Sequence, residues 1–175
     1  MPGLAREEKA GPHVCCRSHR TDARGCHRAR RPLASRAAVS ILDRGPFILH
    51  PLRVMLQVDA DDARIIAVLH DVLEDTACSV VDLRRAGYSE QVIKALDRLT
   101  RRDGEAYEPY IERVAEDTLA RQVKLADLTD NLANNRRLAD VSARRDVQER
   151  ITRYERAIAR LQAATAAAAN AEPPQ

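Results

Sequence analysis

Aromatic side chains are scarce: the 175 residues include no Trp, one Phe and four Tyr. A core without large rings must be filled by Leu, Ile, Val and Ala, which suits closely packed helices. No run of alternating β-branched residues appears, so nothing predicts a sheet. No apolar stretch approaches the roughly 18 residues that a membrane span needs. Cysteine is limited to Cys15, Cys16, Cys26 and Cys78, which make no disulfide framework. The best candidate for a secretory core, Leu33 to Leu42, is broken by Arg36. The expected setting is therefore a reducing one, the cytoplasm. With 45% hydrophobic residues, the chain has material for one all-α domain.

The charge is unevenly placed. Ten Lys and Arg stand against four Asp and Glu before His50, and 19 against 22 from His50 onward. The basic character belongs to the leading segment, so it does not argue for nucleic-acid binding by the folded body. Residues 1–44 show no helical or strand period and read as an atypical basic leader, expected to be disordered. Their Cys and His spacing matches no zinc pattern, and Glu7 and Glu8 come too early for a transit peptide.

A folded domain is expected over 45–165, and a disordered Ala/Pro tail over 166–175. Pro51 fits a first helical position, with His50 held extended before it, and a helix follows to about Val58. Asp59 or Asp61 caps a central helix reaching about Thr76. Ser79 with Asp82 opens a short helix that Gly87 closes, and Ser89 opens the next. A helix carries Tyr107, Tyr110, Ile111 and Val114. Asp117 caps another to about Leu132, a turn follows at Asn134-Asn135, and a last helix from about Ala143 places Val147, Ile151, Tyr154, Ile158 and Leu161 on one stripe.

The central helix carries the chemistry. Helical spacing puts His70, Asp71, Glu74 and Asp75 in one arc, with Ala63 and Ala67 behind them. Ile65, Ile66, Val68, Leu69, Val72 and Leu73 fall in the other. A solvated acidic face is the commoner meaning of such a pattern, but here two alanines leave room for another helix. Carboxylates turned towards protein cost several kcal/mol each, on the order of magnitude known for buried ions, unless they are neutralised. A divalent cation is the simplest neutraliser. Adjacent His and Asp can share one ion and leave Glu74 and Asp75 for acid/base work. Arg101-Arg102 beside Gly104 has the composition of a phosphate cradle, although surface charge is the more frequent meaning.

The order of these pieces, His50, then His70-Asp71, then Asp127, resembles the H…HD…D signature of the HD superfamily of metal-dependent phosphohydrolases. Phe47-Ile48-Leu49-His50-Pro51, Leu69-His70-Asp71-Val72-Leu73-Glu74-Asp75-Thr76 and Lys124-Leu125-Ala126-Asp127 with Asn131 are similar to the hydrolase domain of RelA/SpoT-type alarmone enzymes and their small stand-alone relatives. That resemblance, over about 45–138, implies a compact helical HD domain. It implies Mn²⁺ held by His50, His70, Asp71 and Asp127, with Glu74 and Asp75 activating or orienting the attacking water and Asn131 holding substrate. Ligand type alone leaves Zn²⁺ and Fe²⁺ open.

The implied reaction is release of pyrophosphate from the 3′ position of guanosine tetra- or pentaphosphate, a step of the stringent response. The implied partner is thus a small nucleotide, with neither nucleic acid nor membrane. The alternatives are an HD phosphohydrolase for another nucleotide or phosphate ester, and a silent nucleotide-binding domain. At this length the synthetase half of the long enzymes is expected to be absent. One departure bears on substrate choice: where relatives carry His-x-Gly-Gln and Lys/Arg-x-Gly elements that help build the purine pocket, this chain reads Ala38-Val39-Ser40-Ile41-Leu42-Asp43-Arg44.

Overall fold

The computed structural model describes residues 48–141 and 145–171, and within them the protein is all-α, with no strand. The leader proposed for 1–44 lies outside the described residues. The helices are α1 (Leu49–Met55), α2 (Asp61–Leu69), α3 (Val72–Asp75), α4 (Val80–Arg85), α5 (Glu90–Leu99), α6 (Tyr107–Ala115), α7 (Thr118–Val141) and α8 (Arg145–Ala171). Among the described residues no helix is long and apolar enough to cross a membrane.

Local chemistry accounts for most of the boundaries. Ser79 and Asp82 form a reciprocal capping box at α4. Ser89 Oγ accepts the Val92 N–H at 3.2 Å, and Asp117 Oδ1 accepts the Ala120 N–H at 3.0 Å. Gly87, at φ +88°, turns the chain between α4 and α5, where an L side chain would be strained.

Several boundaries differ from expectation, among them the start of α2, whose N-cap is Ala60 with no side-chain cap and not Asp59 or Asp61. His50 is not extended before a helix: α1 begins at Leu49, so Pro51 is its third residue, still within the first turn, where its missing N–H costs no bond. The central helix is interrupted. α2 ends at Leu69, and Asp71, at φ −100° and ψ 0°, becomes the residue from which α3 restarts. His70 Nδ1 donates to the Ala67 carbonyl at 2.7 Å, competing with the backbone for an acceptor at that point. Finally, α7 does not turn at Asn134-Asn135. Asn134 Nδ2 bonds to Asp130 Oδ2 and Asn135 Nδ2 to the Asn131 carbonyl, one turn back in each case, so both amides find partners inside the helix. α8 likewise continues through Ala171, beyond the expected start of the tail at 166, as alanine's high helix propensity allows.

α7 is the central element: it packs against α1, α2, α5, α6 and α8. The core is aliphatic, with Val54, Ile66, Val92, Leu96, Val114, Val123, Leu128 and Leu161 fully buried and Tyr110 the aromatic among the buried residues. α2 turns Ala63, Ile66, Ala67 and His70 inward, while Ile65 and Val68, expected on its apolar side, are 38% and 39% exposed. The two alanines let α2 approach α7 closely, and this brings His70 to α7. Leu96→Ala is expected to cost about 2–5 kcal/mol through lost transfer energy and a residual cavity. Urea denaturation would show this as a lower midpoint at unchanged slope.

The loop between α5 and α6 is held by a two-toothed ion pair, Arg113 Nε and Nη2 to the Glu105 carboxylate at 2.9 and 2.8 Å. The Arg113 guanidinium holds the Glu105 carboxyl down to about 2. Because the folded value lies below the unfolded 4.5, the stabilisation is complete above that value and vanishes as pH falls towards 2. Glu105→Gln should therefore lose about 1–2 kcal/mol at pH 6, after allowance for solvent screening, and almost nothing near pH 2. Denaturation at several pH values would expose the convergence.

Candidate metal centre

Three parts of the chain meet at one cluster. The first turn of α1 supplies His50, the α2–α3 junction supplies His70 and Asp71, and the middle of α7 supplies Asp127 and its neighbours, while α3, which follows the junction, carries Glu74 and Asp75. His50, His70 and Asp127 each offer a ligand atom within 4.8 Å of the others. His50 Nε2 lies 3.1 Å and His70 Nε2 3.9 Å from Asp127 Oδ1. Asp71 Oδ2 approaches His70 Nε2 at 3.2 Å but stands outside the group of three. The imidazoles meet edge to face, with centroids 5.3 Å apart.

Both rings are oriented from behind. His70 spends Nδ1 on the Ala67 carbonyl, which leaves Nε2 buried and without a hydrogen bond. His50 Nδ1 faces Asp130 Oδ2 at 2.7 Å, and Asp130 is gripped by Arg53 Nε and Nη2 at 2.6 and 2.9 Å and by Asn134 Nδ2 at 3.1 Å. Such a carboxylate fixes the tautomer and direction of a ligating imidazole. Residue types in order assign Asp130 no role. The readable signal is the polar face Asp127, Asp130, Asn131 and Asn134, at i, i+3, i+4 and i+7 on a helix that the rest of the fold surrounds.

Asp127 is the most heavily committed group. Its Oδ2 accepts Lys124 Nζ at 2.8 Å and its Oδ1 accepts Asn131 Nδ2 at 2.6 Å. Asn131, expected to hold substrate, thus braces a carboxylate of the cluster. Burial would raise the Asp127 carboxyl, but Lys124, His50 and His70 override it and hold it far below its usual range. Burial likewise works against a charged His70, yet Asp71 and Asp127 push it up to about 9. His50 is raised above its ordinary value by Asp127 and Asp130, again against burial. With both imidazoles neutral, the three carboxylates of Asp71, Asp127 and Asp130 face two cations, Arg53 and Lys124, so the cluster favours one more positive charge, either protons on the imidazoles or a cation between them.

Glu74 and Asp75 are not part of the cluster of three. Glu74 Oε1 accepts the Arg101 N–H at 2.5 Å. Burial, helped by Asp71 and Asp75, lifts its carboxyl above the ordinary value despite that bond. An open cavity of about 760 Å³ lies beside it, lined by Leu73, Glu74 and residues 100–106. Arg101 is among the lining residues, and its guanidinium is held to the Glu105 carbonyl through Nε at 2.9 Å and Nη2 at 2.5 Å. No protein-family model and no curated protein matches the chain.

Proposed function

We propose that this protein is a metal-dependent phosphohydrolase of the HD type, with Mn²⁺ as its ion and the 3′ pyrophosphate of guanosine tetraphosphate as the group it removes. The observation that carries the metal reading is the convergence of His50 Nε2, His70 Nε2 and Asp127 Oδ1, with the His70 atom buried and unbonded. A buried imidazole nitrogen that makes no hydrogen bond costs free energy, and a cation would relieve that cost along with the repulsion between carboxylates. The donor set of two imidazoles and carboxylates fits a first-row divalent ion. His50, His70 and Asp127 would hold it, with Asp71 as the fourth candidate.

When bound, such an ion supplies Lewis-acid polarisation of a phosphoryl oxygen and a more acidic water. The rest falls to the chain. Glu74, with a carboxyl lifted above its ordinary value and an open cavity beside it, accepts the proton of the attacking water. Asp75 raises the Glu74 carboxyl. Lys124 and Asn131 keep Asp127 ionised and aimed. The choice of guanosine tetraphosphate rests on the motifs His70-Asp71-Val72-Leu73-Glu74-Asp75 and Lys124-Leu125-Ala126-Asp127.

The test combines metal content with turnover. Purified protein is dialysed against Mn²⁺, its bound metal is measured, and pyrophosphate release from guanosine tetraphosphate is followed beside other nucleotides and the His70→Ala variant. One ion per chain and turnover lost in the variant are expected. Bound ion with only another nucleotide cleaved would remove the substrate assignment, and absence of bound ion would remove the metalloenzyme reading. Asp130→Asn, which takes the charge from behind His50, should weaken Mn²⁺ binding about 10- to 100-fold in calorimetric titration.

A further inference from the structure

The α5–α6 loop is fastened more completely than a surface connection requires. Arg113, on α6, has an acceptor for each of the five N–H groups a guanidinium carries. Nε and Nη2 take the Glu105 carboxylate, Nη2 also takes the Thr100 carbonyl at 3.0 Å, and Nη1 takes the Arg98 and Asp97 carbonyls at 3.0 and 3.2 Å. Glu105 passes the hold onward. Its Oε2 accepts the Arg102 N–H at 2.9 Å and its carbonyl accepts the Arg101 guanidinium. Gly104, at φ +76°, makes the tight return that lets Glu105 reach back over the loop. The Arg101 backbone, locked on both sides, presents its N–H to Glu74 Oε1.

We infer that Arg113 is a positioning residue: acting through Glu105 and the Arg101 amide, it fixes the direction of the Glu74 carboxylate. The inference rests on the reading of Glu74 as the proton acceptor. A carboxylate that must take a proton from a water loses rate when it swings, and misplacement of about 1 Å can cost on the order of 10²-fold. A residue that only capped α5 would hold the Asp97, Arg98 and Thr100 carbonyls without any bearing on Glu74. Lysine cannot replace the fork, because a single ammonium does not span Glu105 and three carbonyls.

The test uses Arg113→Lys in the full chain, with Glu105→Gln as a milder variant should the first fail to fold. Two readouts are taken. In proton–nitrogen NMR, the Arg101 amide proton of the wild type should resonate downfield, as expected of a donor to a carboxylate, and Glu74→Ala, which removes the acceptor, identifies the shift due to that bond. Arg113→Lys should move the Arg101 amide towards the position seen in Glu74→Ala. In turnover with Mn²⁺, kcat should fall about 10- to 100-fold while KM stays within about twofold and Mn²⁺ affinity is unchanged. Wild-type turnover with an unmoved Arg101 amide, or with kcat intact in the variant, overturns the positioning role alone. No wild-type turnover of any nucleotide overturns the reading beneath it, and the amide shift still reports separately whether Arg113 governs the Arg101–Glu74 bond.

Discussion

Asp127→Ala is expected to abolish stoichiometric binding of a divalent ion and to destabilise the fold by about 3–5 kcal/mol, the cost of leaving a buried partner charge uncompensated. The partner is Lys124, whose Nζ lies 2.8 Å from Asp127 and whose side chain is largely covered. His50 and Asn131 lose their acceptor in the same step. Denaturation in the presence of a chelator isolates the protein term from the metal term. Adding Lys124→Met to Asp127→Ala should recover a large part of the lost stability while leaving the ion unbound, because the orphaned ammonium goes and the ligand does not return. If Asp127→Ala kept its Mn²⁺ at wild-type affinity, the cluster would not be the metal centre.

Glu74→Gln should lower turnover by about 10²- to 10⁴-fold, the usual worth of a positioned general base. Its ion content should stay at the wild-type value, since Glu74 stands outside the group of His50, His70 and Asp127. Stability should change by less than about 1 kcal/mol, because the residue as a whole borders an open cavity, though its carboxyl is partly covered, and an amide oxygen can still accept the Arg101 N–H. Metal analysis and steady-state kinetics on one preparation decide the matter. A variant that turns over like the wild type would transfer the proton-acceptor role to another group, and one that loses its ion would make Glu74 a ligand.

What could be read from the chain was what short-range chemistry controls. The caps at Ser79, Ser89 and Asp117, the turn at Gly87 and the aliphatic stripe of α8 each depend on neighbours a few residues away. The cluster of His50, His70 and Asp127 was legible from residue types in order, and two small residues, Ala63 and Ala67, pointed to close helix packing there. Elsewhere long-range or side-chain bonds decided. The break at His70-Asp71 leaves the apolar period intact while His70 takes the Ala67 carbonyl, so periodicity carried through it. Asn134-Asn135 is turn-like in composition, yet Asn135 is buried in α7 with its amide bonded one turn back. Asp130 acquires its meaning from Arg53 and His50, some 80 residues away in the chain.

Because α7 brings Asp127 to side chains from α1 and the α2–α3 junction, the proposed binding groups come together only once distant parts of the chain have closed on one another. The pocket therefore has no counterpart in an unfolded chain. An ion that prefers it adds its binding free energy to the folding equilibrium, about 2.7 kcal/mol at a hundredfold excess over Kd. Cellular metal supply would then set the lifetime of this protein as well as its activity: starved of the ion, the chain would open more often and meet proteases sooner.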